Sequence, residues 1–269
     1  MNSLNECLAN IKEAAAQLSA RKIVVYTAIM GDYDELLDPF SHEEDVSYVC
    51  FTDSEKLRST TWNLVHVPVQ YRDPRRTAKI YKMYPHLLFP KSDISIWIDG
   101  SCRVMGSLTS FLDSYLDSDC SFACFPHPRR TTAREEREAC KRYRKDEVKL
   151  IDEQGNDYVT EQFPDAEQLI AGGVLIRRHM RPDVIQFDEL WYREVDKYSV
   201  RDLLSFNYLA WRQDFVYALI PLSLIDNGVF AWVPHRTLRF YDKDGNVIFG
   251  LRPLIESIYS KLKFHWQSR

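Results

Sequence analysis

Short apolar runs, separated by helix signals, constrain the fold of this chain more than any other feature of its sequence. Six of them predict strands, at 22–28, 46–52, 63–69, 92–99, 121–127 and 171–178. These runs are rich in β-branched and aromatic residues, which is typical of strands buried in a sheet. Strands that alternate with helices form a sheet covered by helices. We therefore expect an α/β fold with one mixed central sheet.

Helix signals fill most of the sequence between these runs. Helices are predicted over 73–88 up to Pro85, over 107–116 and 132–151, and over most of 181–213, with a loop around Gly155. Two amphipathic segments, 1–20 and 252–269, are predicted to form terminal helices. For the last one we favour packing on the core, and docking on a membrane surface or a partner is the alternative.

Length and composition exclude several classes of protein. A chain of 269 residues suits one α/β domain over 1–269. A formal charge of −4 does not suit a general nucleic-acid binder. The 6 cysteines form no CxxC pair, which indicates reduced thiols. The start lacks the pattern of a secretory signal, and no run is long enough to span a membrane. We expect a cytoplasmic protein.

Polar residues follow several of the predicted strands. They are Thr27 with the next residues MGDYD, then Asp53, Asp99 and His127. In open α/β sheets, ligands bind at the carboxyl ends of the strands. We therefore expect these side chains to meet in one site.

The segment IWIDGS (96–101) carries the most specific chemical signal. Asp99 ends an apolar strand, and Ser101 offers a second oxygen two residues later. A divalent cation held in this way could bridge the phosphates of a diphosphate. The alternative is an aspartate that stabilises a strand–turn junction.

Two further segments offer charged or imidazole groups. Arg76, Lys79 and Lys82 follow one another at helical spacing, which suits either a diphosphate or a solvated basic face. His127 lies between two prolines at a strand end, where a functional role and a structural hydrogen bond are both open. The mixed charges of the next helix, Glu136 among them, are typical of a surface.

The second half of the chain adds four candidates. Gly172 and Gly173 indicate either a bulge or a close approach of the backbone to a ligand. Ser199 is a plausible N-cap, which places Arg201 and Asp202 in a first helical turn. There the carboxylate of Asp202 would either serve the site or only favour the helix dipole.

Taken together, these segments resemble the TOD/mucilage-related glycosyltransferase-like family, formerly a domain of unknown function. The resemblance rests on seven segments, at 26–39, 48–53, 75–90, 95–101, 127–140, 171–179 and 199–212. It implies a GT-A (Rossmann-like) fold and sugar transfer, by retention of configuration in plant members. Two positions depart from the family pattern, since Leu203 replaces a glutamine and Ser101 replaces the second aspartate.

The resemblance implies transfer from a UDP-sugar to a carbohydrate or glycolipid acceptor, in the synthesis of surface polysaccharide or lipopolysaccharide. The implied ligands are Tyr26, Thr27 and Asp53 for the nucleotide, Arg76 and Lys79 for the diphosphate, and Gly172, Gly173, Arg201 and Asp202 for the sugar. Asp202, Arg201 and His127 are the catalytic candidates. By analogy with related enzymes, Mn²⁺ or Mg²⁺ would bind Asp99, Ser101 and a late histidine, His235. The rival hypotheses are a metal-dependent phosphohydrolase built on Asp99 and His127, and a non-catalytic carbohydrate-binding or assembly protein.

Overall fold

The computed structural model describes residues 21–116, 119–166 and 168–233, together with two short strands at 240–241 and 247–248. Both predicted terminal helices, 1–20 and 252–269, lie outside the described residues, and so does His235. In the described part of the chain, no helix is long and apolar enough to cross a membrane.

The secondary structure follows the predicted order. The strands are β1 (Ile23–Ile29), β2 (Val46–Thr52), β3 (Asn63–His66), β4 (Ile94–Ile98), β5 (Cys102–Val104), β6 (Phe122–Pro126), β7 (Ile170–Arg177), β8 (Ala218–Leu219), β9 (Phe230–Trp232), β10 (Phe240–Tyr241) and β11 (Val247–Ile248). The helices are α1 (Pro74–Met83), α2 (Pro85–Leu88), α3 (Leu108–Tyr115), α4 (Ala133–Arg142), α5 (Val148–Thr160), α6 (Pro182–Lys197) and α7 (Leu203–Arg212).

Among the described residues, seven strands form one mixed sheet in the order β3-β2-β1-β4-β7-β6-β8. Strands β1 to β4 run parallel to one another. Strand β7 runs antiparallel to both of its neighbours, β4 and β6, so β6 points the same way as β4. The carboxyl ends of β1, β2, β4 and β6 therefore meet at one edge, here called the carboxyl edge, where β7 begins. The α/β fold with a mixed central sheet is thus confirmed.

Both faces of the sheet are covered, because alternate residues of each strand point to opposite sides. In β1, Val24 and Tyr26 pack against helices α1, α6 and α7. Val25 and Ile29 face the other side and pack with α3. This two-sided burial explains why the strands read as nearly continuous apolar runs.

One predicted helix, 132–151, is wrong, because the chain breaks it into α4 and α5. Arg144 lies between them with a φ of +48°, and the N–H of Lys145 donates to the carbonyl of Cys140. The predicted loop around Gly155 is instead part of α5. A Cβ at position 155 would lie 2.2 Å from Nη1 of Arg137, so glycine lets α5 lie close to α4.

Candidate active site

A cavity of about 460 Å³ opens at the carboxyl edge of the sheet. Its charged lining consists of six basic residues, Arg75, Lys79, Arg129, Arg130, Lys145 and Arg201, and three acidic ones, Asp34, Asp99 and Glu136. The lining also includes Ser101, His127, Gly172 and Gly173. Segments far apart in the sequence thus meet where the strand ends predict a site.

Asp99 follows β4 directly, and backbone hydrogen bonds hold it at the carboxyl edge. Its N–H donates to the carbonyl of Gly173, and its carbonyl accepts from the N–H of Cys102, both at 2.8 Å. Its carboxylate Oδ1 accepts from the indole Nε1–H of Trp97 at 2.8 Å and lies 3.4 Å from Nζ of Lys82. The orientation of this carboxylate is therefore fixed by its neighbours.

Two lysines of α1 share the carboxylate of Asp202. Nζ of Lys82 lies 2.6 Å from Oδ2 of Asp202, and Nζ of Lys79 lies 2.8 Å from the same atom. Lys82 also donates to the carbonyl of Gly172 at 2.7 Å. Residues three apart lie on one helix face, so α1 presents both ammonium groups together. We call Lys79, Lys82, Asp99 and Asp202 the central cluster.

Burial opposes every charge in the central cluster, and mutual attraction counteracts it. Burial alone would raise the pKa of Asp202 and Asp99, but the ammonium groups of Lys79 and Lys82 hold both pKa values below their usual range. Burial lowers the pKa of Lys79 to about 8, against the pull of Asp202. The pKa of Lys82 is raised despite burial, because it contacts both carboxylates. Two carboxylates and two ammonium groups leave the cluster without net formal charge near neutral pH.

A second group of charges surrounds Glu136, which α4 places in the interior with 0% exposure. The guanidinium of Arg130 contacts its Oε2, Nζ of Lys145 lies 3.4 Å from its Oε1, and Nη2 of Arg201 lies 3.5 Å from the same oxygen. Burial would raise the pKa of Glu136, but these three cations lower it to about 2. We call these four residues the basic wall.

His127 lies beside the basic wall. Its Nδ1 accepts from the backbone N–H groups of Arg129 at 3.1 Å and Arg130 at 2.9 Å, and its Nε2 lies 3.1 Å from Nη2 of Arg130. Nε2 lies 4.0 Å from Oε2 of Glu136. Burial and the charge of Arg130 lower the pKa of His127 to about 4, so the ring is neutral near pH 7.

We expect acid to destabilise the native chain more steeply than its His127→Gln variant. Because the folded pKa of His127 is about 4 and its ordinary value is 6.5, the unfolded chain binds a proton in this window that the folded chain does not. Stability is therefore lost as the pH falls from 6.5 towards 4. Melting temperatures of the native chain and of His127→Gln, measured from pH 6.5 to pH 4, test this expectation. The matched control is His66→Gln, at a half-exposed position. Equal slopes for the native chain and His127→Gln would contradict the expectation.

Gly172 and Gly173 allow β7 to pass close behind the central cluster. A Cβ at position 172 would lie 3.0 Å from Cδ2 of Leu203 and 3.3 Å from Nζ of Lys82. A Cβ at position 173 would lie 3.2 Å from Cδ2 of Leu224. The pairing of β6 with β7 shifts register between Ala171 and Leu175, so the paired glycines lie at a bulge, one of the two alternatives that the sequence indicates.

Tyr26 and Thr27 do not reach the cavity, because both side chains are buried within the sheet. The hydroxyl of Tyr26 donates to the carbonyl of Lys82 at 3.0 Å and accepts from Nη1 of Arg177 at 2.9 Å. The cavity is lined instead by residues 28–30, at the end of β1. The placement of Tyr26 and Thr27 therefore corrects their predicted role at the nucleotide.

Arg76 and Asp53 also have structural contacts. Arg76 donates to the carbonyls of Val195 and Tyr198, both at 2.8 Å, and so fastens α1 to the end of α6. Its guanidinium lies outside the cavity, which corrects its predicted role at the diphosphate. Asp53 accepts from the N–H of Gly31 at 2.9 Å and is not part of the cavity lining.

The predicted start of α7 is also corrected. Asp202 itself is the N-cap residue of this helix, in helical backbone conformation, and its carboxylate makes no capping hydrogen bond. The hydroxyl of Ser199 donates to the buried carboxylate of Asp146 at 2.9 Å. The Asp202 carboxylate therefore serves the central cluster and not the helix end.

Two of the three predicted ligands of the divalent cation, Asp99 and Ser101, lie among the described residues. Asp99 and Ser101 both line the cavity, but the Asp99 carboxylate already accepts from Trp97 and lies beside the ammonium of Lys82. Within the described residues, no group of three His, Cys, Asp or Glu side chains could hold a metal ion. Asp99 therefore offers one carboxylate that is already engaged and Ser101 one hydroxyl, while His235, the third predicted ligand, lies outside the described residues, so the cation site stays a prediction.

The sequence did not identify Glu136 or Lys145 as site residues, and it offered Lys82 only as part of a basic helix face that suits either a diphosphate or solvent. For Glu136 a signal was present, because Ala133, Glu136 and Cys140 follow one another at helical spacing and are all buried. A glutamate on the apolar stripe of a helix is expected to need cationic partners. Lys82 is 1% exposed, although its sequence context is equally typical of a solvated face.

Two plant proteins are similar to this chain in sequence. The chain is 29% identical over 214 residues to the "Probable hexosyltransferase MUCI70" of Arabidopsis thaliana, covering 70% of this chain and 37% of that protein. It is 23% identical over 246 residues to the "Alkaline ceramidase TOD1" of the same plant, covering 78% of this chain and 52% of that one. The chain thus spans about half or less of these relatives.

Among solved structures, the apo form of the bifunctional glycosyltransferase WbbM aligns with a TM-score of 0.45 and 12% identity, over 76% of this chain and 39% of that one. The family model of the TOD1/MUCI70 glycosyltransferase-like domain matches residues 5–224, which is most of the sequence. The chain therefore belongs to the TOD1/MUCI70 glycosyltransferase-like domain family.

Proposed function

We propose that this chain is a glycosyltransferase that moves a hexosyl group from a nucleoside-diphosphate sugar to a carbohydrate or glycolipid acceptor. The observation that carries the proposal is the cavity at the carboxyl edge, with six basic and three acidic residues in its lining, in a chain of a glycosyltransferase-like family. Its volume of about 460 Å³ suits a small-molecule ligand, and the excess of positive charge suits an anionic one.

The lining suggests a place for each part of the substrates. We assign the wall formed by residues 28–30 and Tyr33 to the nucleoside, with uridine as the base to test first. Gly172, Gly173 and the central cluster are assigned to the donor sugar. The exposed apolar surface of Ile225 and Trp232, at 40% and 37% exposure, is assigned to the acceptor. Surface polysaccharide or lipopolysaccharide synthesis, as the setting, rests on the sequence resemblance alone.

In the proposed reaction, the bond between the anomeric carbon and the phosphate oxygen breaks, and its electron pair leaves with the diphosphate. A new bond forms from the acceptor hydroxyl oxygen to the anomeric carbon, and the hydroxyl proton passes to the leaving phosphate. We assign to Asp202 the stabilisation of positive charge that develops on the sugar; its buried carboxylate lies outside the cavity lining and contacts Lys79, which is part of that lining.

Three alternatives to sugar transfer are a ceramidase, a phosphohydrolase and a non-catalytic binding protein. The ceramidase name of one relative indicates a lipid amide substrate, which needs an extended apolar channel, whereas nine charged residues line this cavity. A phosphohydrolase would release phosphate or nucleotide without an acceptor. A binding protein would take up ligand without turnover.

We expect purified protein to bind UDP and to release it from a UDP-hexose at a rate that rises when an acceptor glycan is added. A panel of UDP-sugars with assay of free UDP tests this, and Lys79→Gln should lower the acceptor-dependent rate by about 10²-fold, because the central cluster then lacks one cation. Lys149→Gln, on an exposed face of α5, is the control. Release of inorganic phosphate, or binding of glycan without any binding of nucleotide, would refute transfer.

A further inference from the structure

The central cluster and the basic wall differ in net formal charge. In the central cluster, two carboxylates contact two ammonium groups within 3.4 Å, so its formal charges cancel. Lys79 and Lys82 are already neutralised by Asp202 and Asp99. An anion bound there would compete with carboxylates that the chain itself provides.

The basic wall carries a net positive formal charge. Arg130, Lys145 and Arg201 surround the single carboxylate of Glu136, which leaves an excess of two positive charges. In addition, the buried Nε of Arg201 has no hydrogen-bond acceptor within the described part of the chain. A guanidinium donor in this state suits an oxygen atom supplied by a ligand.

The other charges of the lining do not change this excess. Arg75 is paired with Asp73 at 2.8 Å. Arg129 and Asp34 carry opposite charges. His127, whose Nδ1 accepts two backbone N–H groups, adds no charge near neutral pH.

We propose that Arg130, Lys145 and Arg201 form the binding site for the diphosphate of the donor nucleotide, and that they replace a divalent cation there. The inference rests on the proposed function. Each phosphate of a nucleoside-diphosphate sugar carries one negative charge, so the ligand brings the two charges that the wall lacks. Arginine binds phosphate oxygens in a bidentate manner, and the same cations would stabilise the negative charge that develops on the leaving diphosphate before it takes up the hydroxyl proton.

The position of Arg201 supports this arrangement. It precedes Asp202 in the chain, so the basic wall and the central cluster are joined by one peptide bond. A diphosphate on the wall would thus place the attached sugar beside Asp202 and the paired glycines. Glu136 keeps the three cations together when no ligand is bound.

The test is calorimetric titration with UDP and with uridine, both in EDTA. The native chain should bind UDP in EDTA. Lys145→Gln and Arg201→Gln should each weaken UDP by about ten- to hundredfold, the effect of losing a charge-assisted hydrogen bond, and should change uridine binding less than about threefold. Lys149→Gln, the same substitution four residues from Lys145 on an exposed face, should leave both ligands unchanged.

Glu136→Gln gives an effect of opposite sign, because it raises the excess to three charges and should tighten UDP binding. Circular dichroism of each variant separates loss of binding from loss of fold. If a variant does not fold, the titration of the native chain in EDTA tests the inference. Binding of UDP that requires Mn²⁺ would overturn the inference, and so would variants that lose equal affinity for UDP and for uridine. Either result would leave the proposed function standing. Failure of the native chain to bind UDP with or without Mn²⁺ would overturn both.

Discussion

Replacing Asp202 by asparagine should lower turnover by about 10²- to 10³-fold, the loss expected when a preorganised charge is removed from a reacting centre. It should also lower the stability of the fold. The Asp202 side chain is 5% exposed and neutralises two lysines, so its removal leaves ammonium charge in the interior. Breaking a buried pair in this way costs about 3–5 kcal/mol. Lys82 keeps its contacts with Asp99 and with the carbonyl of Gly172 in this variant, so we expect a cost near the lower end of that range.

From the sequence, Asp202 belongs to a first helical turn, where a role in the site and a role at the helix dipole are both open, and neither involves a buried pair with two lysines. Steady-state kinetics well below the melting temperature, with thermal unfolding of the same samples, measure both effects. Asp113→Asn, at an exposed position on α3, is the matched control. An Asp202→Asn variant that is fully active while folded would remove this residue from the reacting centre.

The second large effect is expected at Arg177, which is fully buried beneath the site. Its Nε lies 3.3 Å from Oδ2 of Asp188, and its Nη1 donates to the carbonyl of Lys82 at 2.8 Å. Arg177→Met should destabilise the chain by about 3–5 kcal/mol, because Asp188 then loses its cation. A loss of this size lowers the melting temperature by about 10 °C in a domain of similar length.

A double variant separates charge from packing at this position. Burial already raises the pKa of Asp188 to about 7, against the pull of Arg177. Buried ion pairs can often be replaced by apolar residues without loss. Arg177→Met combined with Asp188→Leu should therefore recover most of the lost melting temperature, measured by calorimetry. A double variant as unstable as Arg177→Met alone would show that the pair acts through its hydrogen bond to Lys82 and not through its charge.

The strands were predictable because a strand that is buried on both faces has a nearly continuous apolar sequence. Five of the six predicted strands match to within two residues at each end, and β3 ends earlier than predicted. The break between α4 and α5 was not predictable, because nothing in the composition marks Arg144 as a residue of positive φ. Local pattern therefore revealed the sheet and its edge.

The candidate site was predictable only in part. Asp99, Lys79 and the paired glycines could be named, because Asp99 follows a strand, Lys79 lies on a basic helix face and the glycines lie near the start of a strand. Whether a polar residue points into the cavity or into the core depends on tertiary contacts that spacing does not reveal. Tyr26 and Arg76 look like ligands in the sequence and are structural in the fold. Glu136 looks like a surface residue and is fully buried.

The contact between Lys79 and Asp202 joins residues 123 positions apart. Ordering so long a segment must precede this contact, and pairings of this range slow folding relative to local ones. The hydrogen bond from Lys82 to Gly172 spans 90 positions and depends on the same assembled sheet. We therefore expect the charges of the central cluster to lose their water only after β4 and β7 have paired, so that the site forms late in folding.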